Sequence, residues 1–209
     1  MKIGIFGGTF NPPHLGHLAA AEAAIGALGL DKLYIVPASI PPHKELPEGT
    51  PAPEHRLSMA AKLADALLLP EKLEVSSLEL DREGKSYTAD TLAALHAEYP
   101  GAELWLLMGT DMFLTLHLWH DPEAILKLAG VCAFGRAEQD GEALFAPQRE
   151  HLERAFPGAK ITTIPLLIWW RYPRQNCGSC WLREGARSIS TRRCMGTFCS
   201  SSSTAPAPT

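Results

Sequence analysis

Short apolar runs alternate along this chain with longer stretches whose apolar positions recur every three or four residues. The short runs fall near Lys2, Leu33, Leu73, Leu104, Val131 and Ile161, and the helical patterns near Leu15, His55, Ala89, Pro122 and Gln148. Residues 2–6 and 104–108 are apolar almost throughout, as strands covered on both faces are. From Leu15 the chain is rich in good helix formers, with Leu15, Leu18, Glu22 and Ile25 at helical spacing. Residues 73–80 read as a third strand before a turn at 82–85, and residues 110–118 read as helical. Strand and helix in alternation predict an α/β fold, a parallel sheet with right-handed crossovers and helices on both faces. Its ligands are expected at the carboxyl edge of the strands. Residues 1–167 are long enough for one substantial core and contain no internal repeat. Residues 45–53, with three prolines, read as a surface loop.

Charge narrows the partners. Residues 1–167 carry 13 Lys and Arg against 22 Asp and Glu, a formal −9, which argues against a general nucleic-acid surface. Small anions must then be drawn in locally. No stretch approaches the roughly 20 apolar residues needed to cross a bilayer. The N-terminus enters a strand without the basic and apolar regions of a signal peptide, so a cytoplasmic protein without membrane partners is expected.

The local anion site is legible in residues 7–17, Gly-Gly-Thr-Phe-Asn-Pro-Pro-His-Leu-Gly-His, directly after the first strand. Gly7 and Gly8 lack side chains that would keep a polyanion off the backbone. The helix predicted to open near His14 offers unpaired N–H groups and the positive end of its dipole. His14 and His17 stand three apart, so both imidazoles project toward one anion. Nucleotidyl transfer needs reactants held in line and donors aimed at growing charge, and two histidines above a glycine loop supply that. A bare pair of histidines at this spacing is more often a metal pair or two surface residues. The glycine loop in front reverses that weighting.

The segment resembles the HxGH signature of the nucleotidyltransferase superfamily, in the form carried by bacterial nicotinate mononucleotide adenylyltransferases. The resemblance implies a Rossmann-like sheet of the HxGH nucleotidyltransferase type. It also implies transfer of AMP from ATP to nicotinate mononucleotide, giving deamido-NAD and pyrophosphate, with Mg2+ on the phosphates and no metal site built from the protein alone. His14 and His17 would be catalytic, and the backbone of Gly7, Gly8, Thr9 and Phe10 would hold phosphate.

Further segments resemble the same family. Pro41-Pro42-His43-Lys44 matches its PPHK element, with Lys44 a mobile charge suited to triphosphate. Ser86-Tyr87-Thr88-Ala89-Asp90-Thr91-Leu92 matches SYTxDTL. Thr88 reads independently as the N-cap of a helix over residues 89–99, and the resemblance adds a contact to the nicotinate carboxylate. Met108-Gly109-Thr110-Asp111 matches GxD. Gly109 would let a ligand approach the backbone, and Asp111 would bond ribose or help place the metal, or only stabilise its own helix through the dipole. Trp119 falls where the family stacks an aromatic on the pyridine ring, and Arg136 where it carries an arginine that pairs with substrate phosphate or with a surface carboxylate such as Glu138. Two alternatives stay open: a preference for nicotinamide mononucleotide or another phosphorylated acceptor, and a remnant that binds without turnover. A homo-oligomer is compatible with the sequence.

Residues 168–209 differ in kind. They hold six Arg, no Lys, one Glu and four of the five cysteines, with Trp169, Trp170 and Trp181, before a Ser, Pro and Ala tail. The family resemblance implies an SSTxIR-type phosphate motif soon after the sixth strand. Residues 188–193 match it loosely and stand too far downstream. This composition is what an out-of-frame reading of a GC-rich gene produces. The competing readings are a zinc site on Cys177, Cys180, Cys194 and Cys199, a redox Cys-x-x-Cys, disulfides, or a polybasic attachment segment.

Overall fold

The computed structural model describes residues 1–42, 45–65, 70–135 and 142–165. His43, Lys44, Arg136, Glu138 and everything in the 168–209 segment lie outside the described residues. Six strands form one sheet: β1 (Lys2–Gly8), β2 (Lys32–Pro37), β3 (Leu73–Val75), β4 (Glu103–Gly109), β5 (Ala129–Gly135) and β6 (Ile161–Pro165). The helices are α1 (Leu15–Leu28), α2 (Pro53–Ala64), α3 (Thr88–Glu98), α4 (Thr110–Leu114), α5 (Pro122–Leu128) and α6 (Glu142–Ala155). All strand pairs are parallel, in the order β3-β2-β1-β4-β5-β6. The α/β prediction therefore holds, with every expected strand present.

Alternation of side chains along each strand divides the core into two layers. Ile3, Ile5, Leu104, Leu106, Val131 and Ala133 pack with Leu92 and Leu95 of α3, Phe113 of α4, Ile125 of α5 and Phe145 of α6. The opposite face carries Phe6, Leu33, Leu107, Cys132 and Phe134 against Leu18, Ala21 and Ile25 of α1 and Leu63 of α2. Gly4 lies on this second face, where a Cβ would stand 2.6 Å from the Cδ1 of Leu30 and 2.7 Å from that of Leu33, so glycine lets those two leucines pack against β1.

Two expectations are corrected. The third strand stops at Val75, not Leu80. Ser76 Oγ accepts from the Leu78 N–H at 3.2 Å, and the Ser77 hydroxyl donates to Asp81 at 2.7 Å. These local bonds turn the chain off the sheet edge. The N-cap of α3 is Tyr87, in extended conformation, and Thr88 is the first helical residue. Capping is thus not what Thr88 is for.

The strand order places a topological switch between β1 and β4, whose carboxyl ends lie side by side: Phe6 pairs with Leu107, and Gly7 and Gly109 continue at the same edge. No helix among the described residues is long and apolar enough to cross a membrane.

Candidate active site

The loop leaving β1 is held by its neighbours from behind. The Gly8 carbonyl accepts from the Ala38 N–H at 2.8 Å, joining the loops after β1 and β2. Phe10 adopts a left-handed backbone (φ 49°) although it is not glycine, a conformation costing on the order of 1 kcal/mol. Burial offsets this: its ring is 2% exposed, packing on Ile35 and Ala60 and edge-on to Phe6 at 5.8 Å. A Cβ on Gly8 would meet that ring at 3.3 Å, so a side chain there would crowd Phe10. A Cβ on Gly7 would meet nothing within 4 Å. Gly7 faces open space, and its missing side chain matters for what approaches from outside.

His14 is the N-cap of α1 and His17 its third residue. Their rings lie 3.8 Å apart and 32° from parallel, and His17 also stands 4.9 Å from Phe10. The His14 N–H donates to His17 Nδ1 at 3.1 Å. With Nδ1 accepting, neutral His17 carries its proton on Nε2. The capping bond therefore fixes both the ring and its tautomer.

The β4 end supplies Gly109 as N-cap of α4, with the Thr110 hydroxyl donating to the Phe134 carbonyl at 2.9 Å and Asp111 exposed in the first turn. The start of α3 faces the same edge, because a crossover helix runs antiparallel to its strands. Tyr87 stacks on His120 at 4.2 Å, tying the residue before Thr88 to the residue after Trp119. Trp119 is half-buried against the core. The structure thus gathers the glycine loop, both histidines, Gly109, Asp111, Thr88 and Trp119 at the carboxyl edge. Lys44 and Arg136 follow β2 and β5, whose ends reach that edge.

Sequence reasoning missed the supports of these residues. Ser86 ties the α3 start to the loop after β2 twice: its N–H donates to the Ile40 carbonyl at 3.0 Å, and its Oγ accepts from the Ser39 N–H at 3.0 Å. Behind it lies Glu79, a buried carboxylate that accepts from the Thr91 hydroxyl at 2.8 Å and from Ser86. Burial raises its pKa above the usual carboxylate value, against the pull of those hydroxyls and of Arg82. Arg56 is wholly buried and donates to three loop carbonyls. No motif flagged either residue; a charged side chain in an apolar helical or strand-like pattern was the only available signal. Beside Ser39, an open depression of about 620 Å³ is lined by Ile40, Pro41, Pro42 and Lys85.

A glycine loop, a histidine pair at a helix start and a switch-point crevice define a nucleotide-transfer class of protein, and comparison with known proteins agrees. The family model described as cytidylyltransferase-like matches residues 5–184. A protein of Trichlorobacter lovleyi named probable nicotinate-nucleotide adenylyltransferase is 45% identical over 139 residues, 66% of this chain and 63% of its own length. Relatives of the same name from Maridesulfovibrio salexigens (41% over 157 residues; 75% of this chain, 69% of theirs) and Exiguobacterium sibiricum (37% over 169 residues; 80% of each) extend the match. In the first of these matches the chain spans less than two thirds of its relative's length. The chain belongs to the cytidylyltransferase-like nucleotidyltransferases, in the nicotinate-nucleotide adenylyltransferase family. The fold is also that of Plasmodium falciparum nicotinic acid mononucleotide adenylyltransferase complexed with NaAD (TM-score 0.64, 18% identity, 79% of this chain and 75% of that one). A putative nicotinate-nucleotide adenylyltransferase from Vibrio parahaemolyticus shares it as well (TM-score 0.53, 22% identity, 75% and 83% covered).

Proposed function

We propose that this protein is a cytoplasmic adenylyltransferase of NAD biosynthesis that transfers AMP from ATP to nicotinate mononucleotide, giving deamido-NAD and pyrophosphate. The observation that carries the reading is the His14–His17 pair, 3.8 Å apart at the start of α1 behind an open glycine loop, at the β1/β4 switch point. A phosphate oxygen of the mononucleotide attacks the α-phosphorus of ATP. The new P–O bond forms as the bond to the bridging oxygen breaks, and the electron pair leaves with pyrophosphate. No covalent enzyme intermediate is needed. His17 Nε2–H and His14 donate to the charge that spreads over the non-bridging oxygens. The backbone of residues 7–10, with Lys44 and Arg136, holds phosphates. Thr88 and Trp119 hold the nicotinate, and Gly109 and Asp111 the ribose side.

The family implies a divalent cation with ATP, and we take it to be magnesium. No group of three His, Cys, Asp or Glu that could hold a metal occurs among the described residues. One exposed carboxylate at the edge, Asp111, fits a cation that arrives on the triphosphate and keeps most of its ligands from phosphate and water. When bound, such a cation neutralises phosphate charge.

The test is pyrophosphate release by the 209-residue chain with ATP, magnesium and nicotinate mononucleotide, beside the amide mononucleotide and a chelator control. Turnover that favours the acid and stops with chelator is expected. Turnover with the amide alone would reassign the acceptor, and ATP binding without turnover would make the chain a binding protein. We further propose that residues 1–167 carry this chemistry and that the 168–209 segment is an out-of-frame product. An intact mass of the native protein matching this sequence would refute the second point.

A further inference from the structure

Arg56 is the fourth residue of α2 and is 0% exposed. Its Nη1 donates to the Thr9 carbonyl at 2.8 Å, its Nη2 to the Ser39 carbonyl at 3.1 Å and its Nε to the Pro51 carbonyl at 3.2 Å. One guanidinium thus clasps the loop after β1, the loop after β2 and the segment that enters α2. All three acceptors are neutral, and among the described residues no carboxylate forms an ion pair with it. Glu54 acts on it only through the Coulomb field, while burial pulls the guanidinium below its ordinary pKa. The charge also sits near the amino end of α2, where the helix dipole opposes a cation. Stability alone does not favour a buried, unneutralised cation against a dipole.

The peptide between Thr9 and Phe10 explains its use. Asn11–Pro12 is the chain's cis bond among the described residues, so Thr9–Phe10 is trans, and a trans peptide points its C=O and N–H in opposite directions. Arg56 holds the Thr9 carbonyl, so the Phe10 N–H of the same trans peptide points away from the guanidinium. The left-handed backbone of Phe10 belongs to the same turn. Its hold on Ser39 sets the start of the loop that runs on to Lys44.

We infer that Arg56 is a positioning residue for polyphosphate: it aims the Phe10 N–H at the bound phosphates and leaves its own positive charge unneutralised behind them. This rests on the reading of residues 7–10 as the phosphate loop.

The test is calorimetric binding of inorganic tripolyphosphate and, separately, of nicotinate mononucleotide to wild type, R56K and R56M. Tripolyphosphate should bind R56M about tenfold more weakly, the order expected of one charge acting across roughly 10 Å at an effective dielectric near 20. R56K, which keeps the charge but not the fork, should fall between. Mononucleotide affinity should change much less in both. Equal loss for both ligands, or a folded R56M that binds tripolyphosphate like wild type, would overturn the inference. Should R56M not fold, the Arg56 Nε–H resonance of wild type decides: it shifts on titration with tripolyphosphate, and a resonance that stays put overturns the proposal. Failure of wild type itself to bind tripolyphosphate would instead remove the phosphate-loop reading, and the inference with it.

Discussion

Replacing His17 by alanine separates the ring's capping role from the donor role proposed for it. As an acceptor, Nδ1 caps the His14 N–H at 3.1 Å, and one such bond at a partly exposed site contributes about 0.5–1.5 kcal/mol to stability. The ring contacts with Phe10 at 4.9 Å and Phe6 at 5.9 Å add packing, so the total loss should be about 1–2 kcal/mol. In the proposed reaction, Nε2–H as a donor meets charge that develops only in the transition state, and losing one such donor costs about 3–4 kcal/mol, on the order of 100–1,000-fold in kcat. The rate effect thus exceeds the stability effect. His17→Asn keeps an acceptor for the cap but cannot present a donor at the position of Nε2. It should regain most of the lost stability while kcat stays at least about tenfold down. Urea unfolding monitored by circular dichroism and steady-state pyrophosphate release at saturating substrates measure the two quantities on the same samples. A folded His17→Ala protein with kcat within about threefold of wild type would refute the donor assignment.

Gly7→Ala should leave stability within about 0.5 kcal/mol, since its Cβ meets nothing within 4 Å, yet raise the KM for ATP about tenfold by standing where phosphate approaches; an unchanged KM counts against the phosphate loop. Glu79→Gln tests the buried carboxyl: because burial raises its folded pKa, wild type binds more protons folded than unfolded and gains stability on acidification. The stability advantage of the glutamine variant should therefore be largest near neutrality. It should shrink as pH falls through the folded pKa and level off below the ordinary value of 4.5, as urea midpoints across pH would show; a pH-independent difference contradicts the assignment. Cys132 is fully buried, and desolvation pushes its thiol up to about 12, so peptide mapping should find it unalkylated by iodoacetamide at pH 8 in the native protein; labelling at the rate of a free peptide thiol would show the core to be open there.

The sequence by itself determined the order and type of the elements and the placement of the two histidines at the first helical turn. Apolar strands covered on both faces announce themselves by composition, and residues 7–17 are contiguous, so the loop, the helix start and the two histidines were legible together. The extent of β3 was not, because the apolar residues Leu78 and Leu80 extend the strand-like run whether the chain stays on the sheet or turns off it. The serine bonds that turn it compete locally and leave no periodic trace. Thr88 likewise read as a cap because threonine suits one, while the helix begins one residue earlier than that reading requires. What only the tertiary structure decided is what lies behind the site. Arg56 meets Thr9, Ser39 and Pro51 across separations of 47, 17 and 5 residues, and Glu79 meets Thr91 across 12. A buried charge is tolerated only where distant polar groups converge on it. That convergence is a property of the strand order, which gathers the ends of separate β-strands at one edge, and no local pattern of residues encodes it.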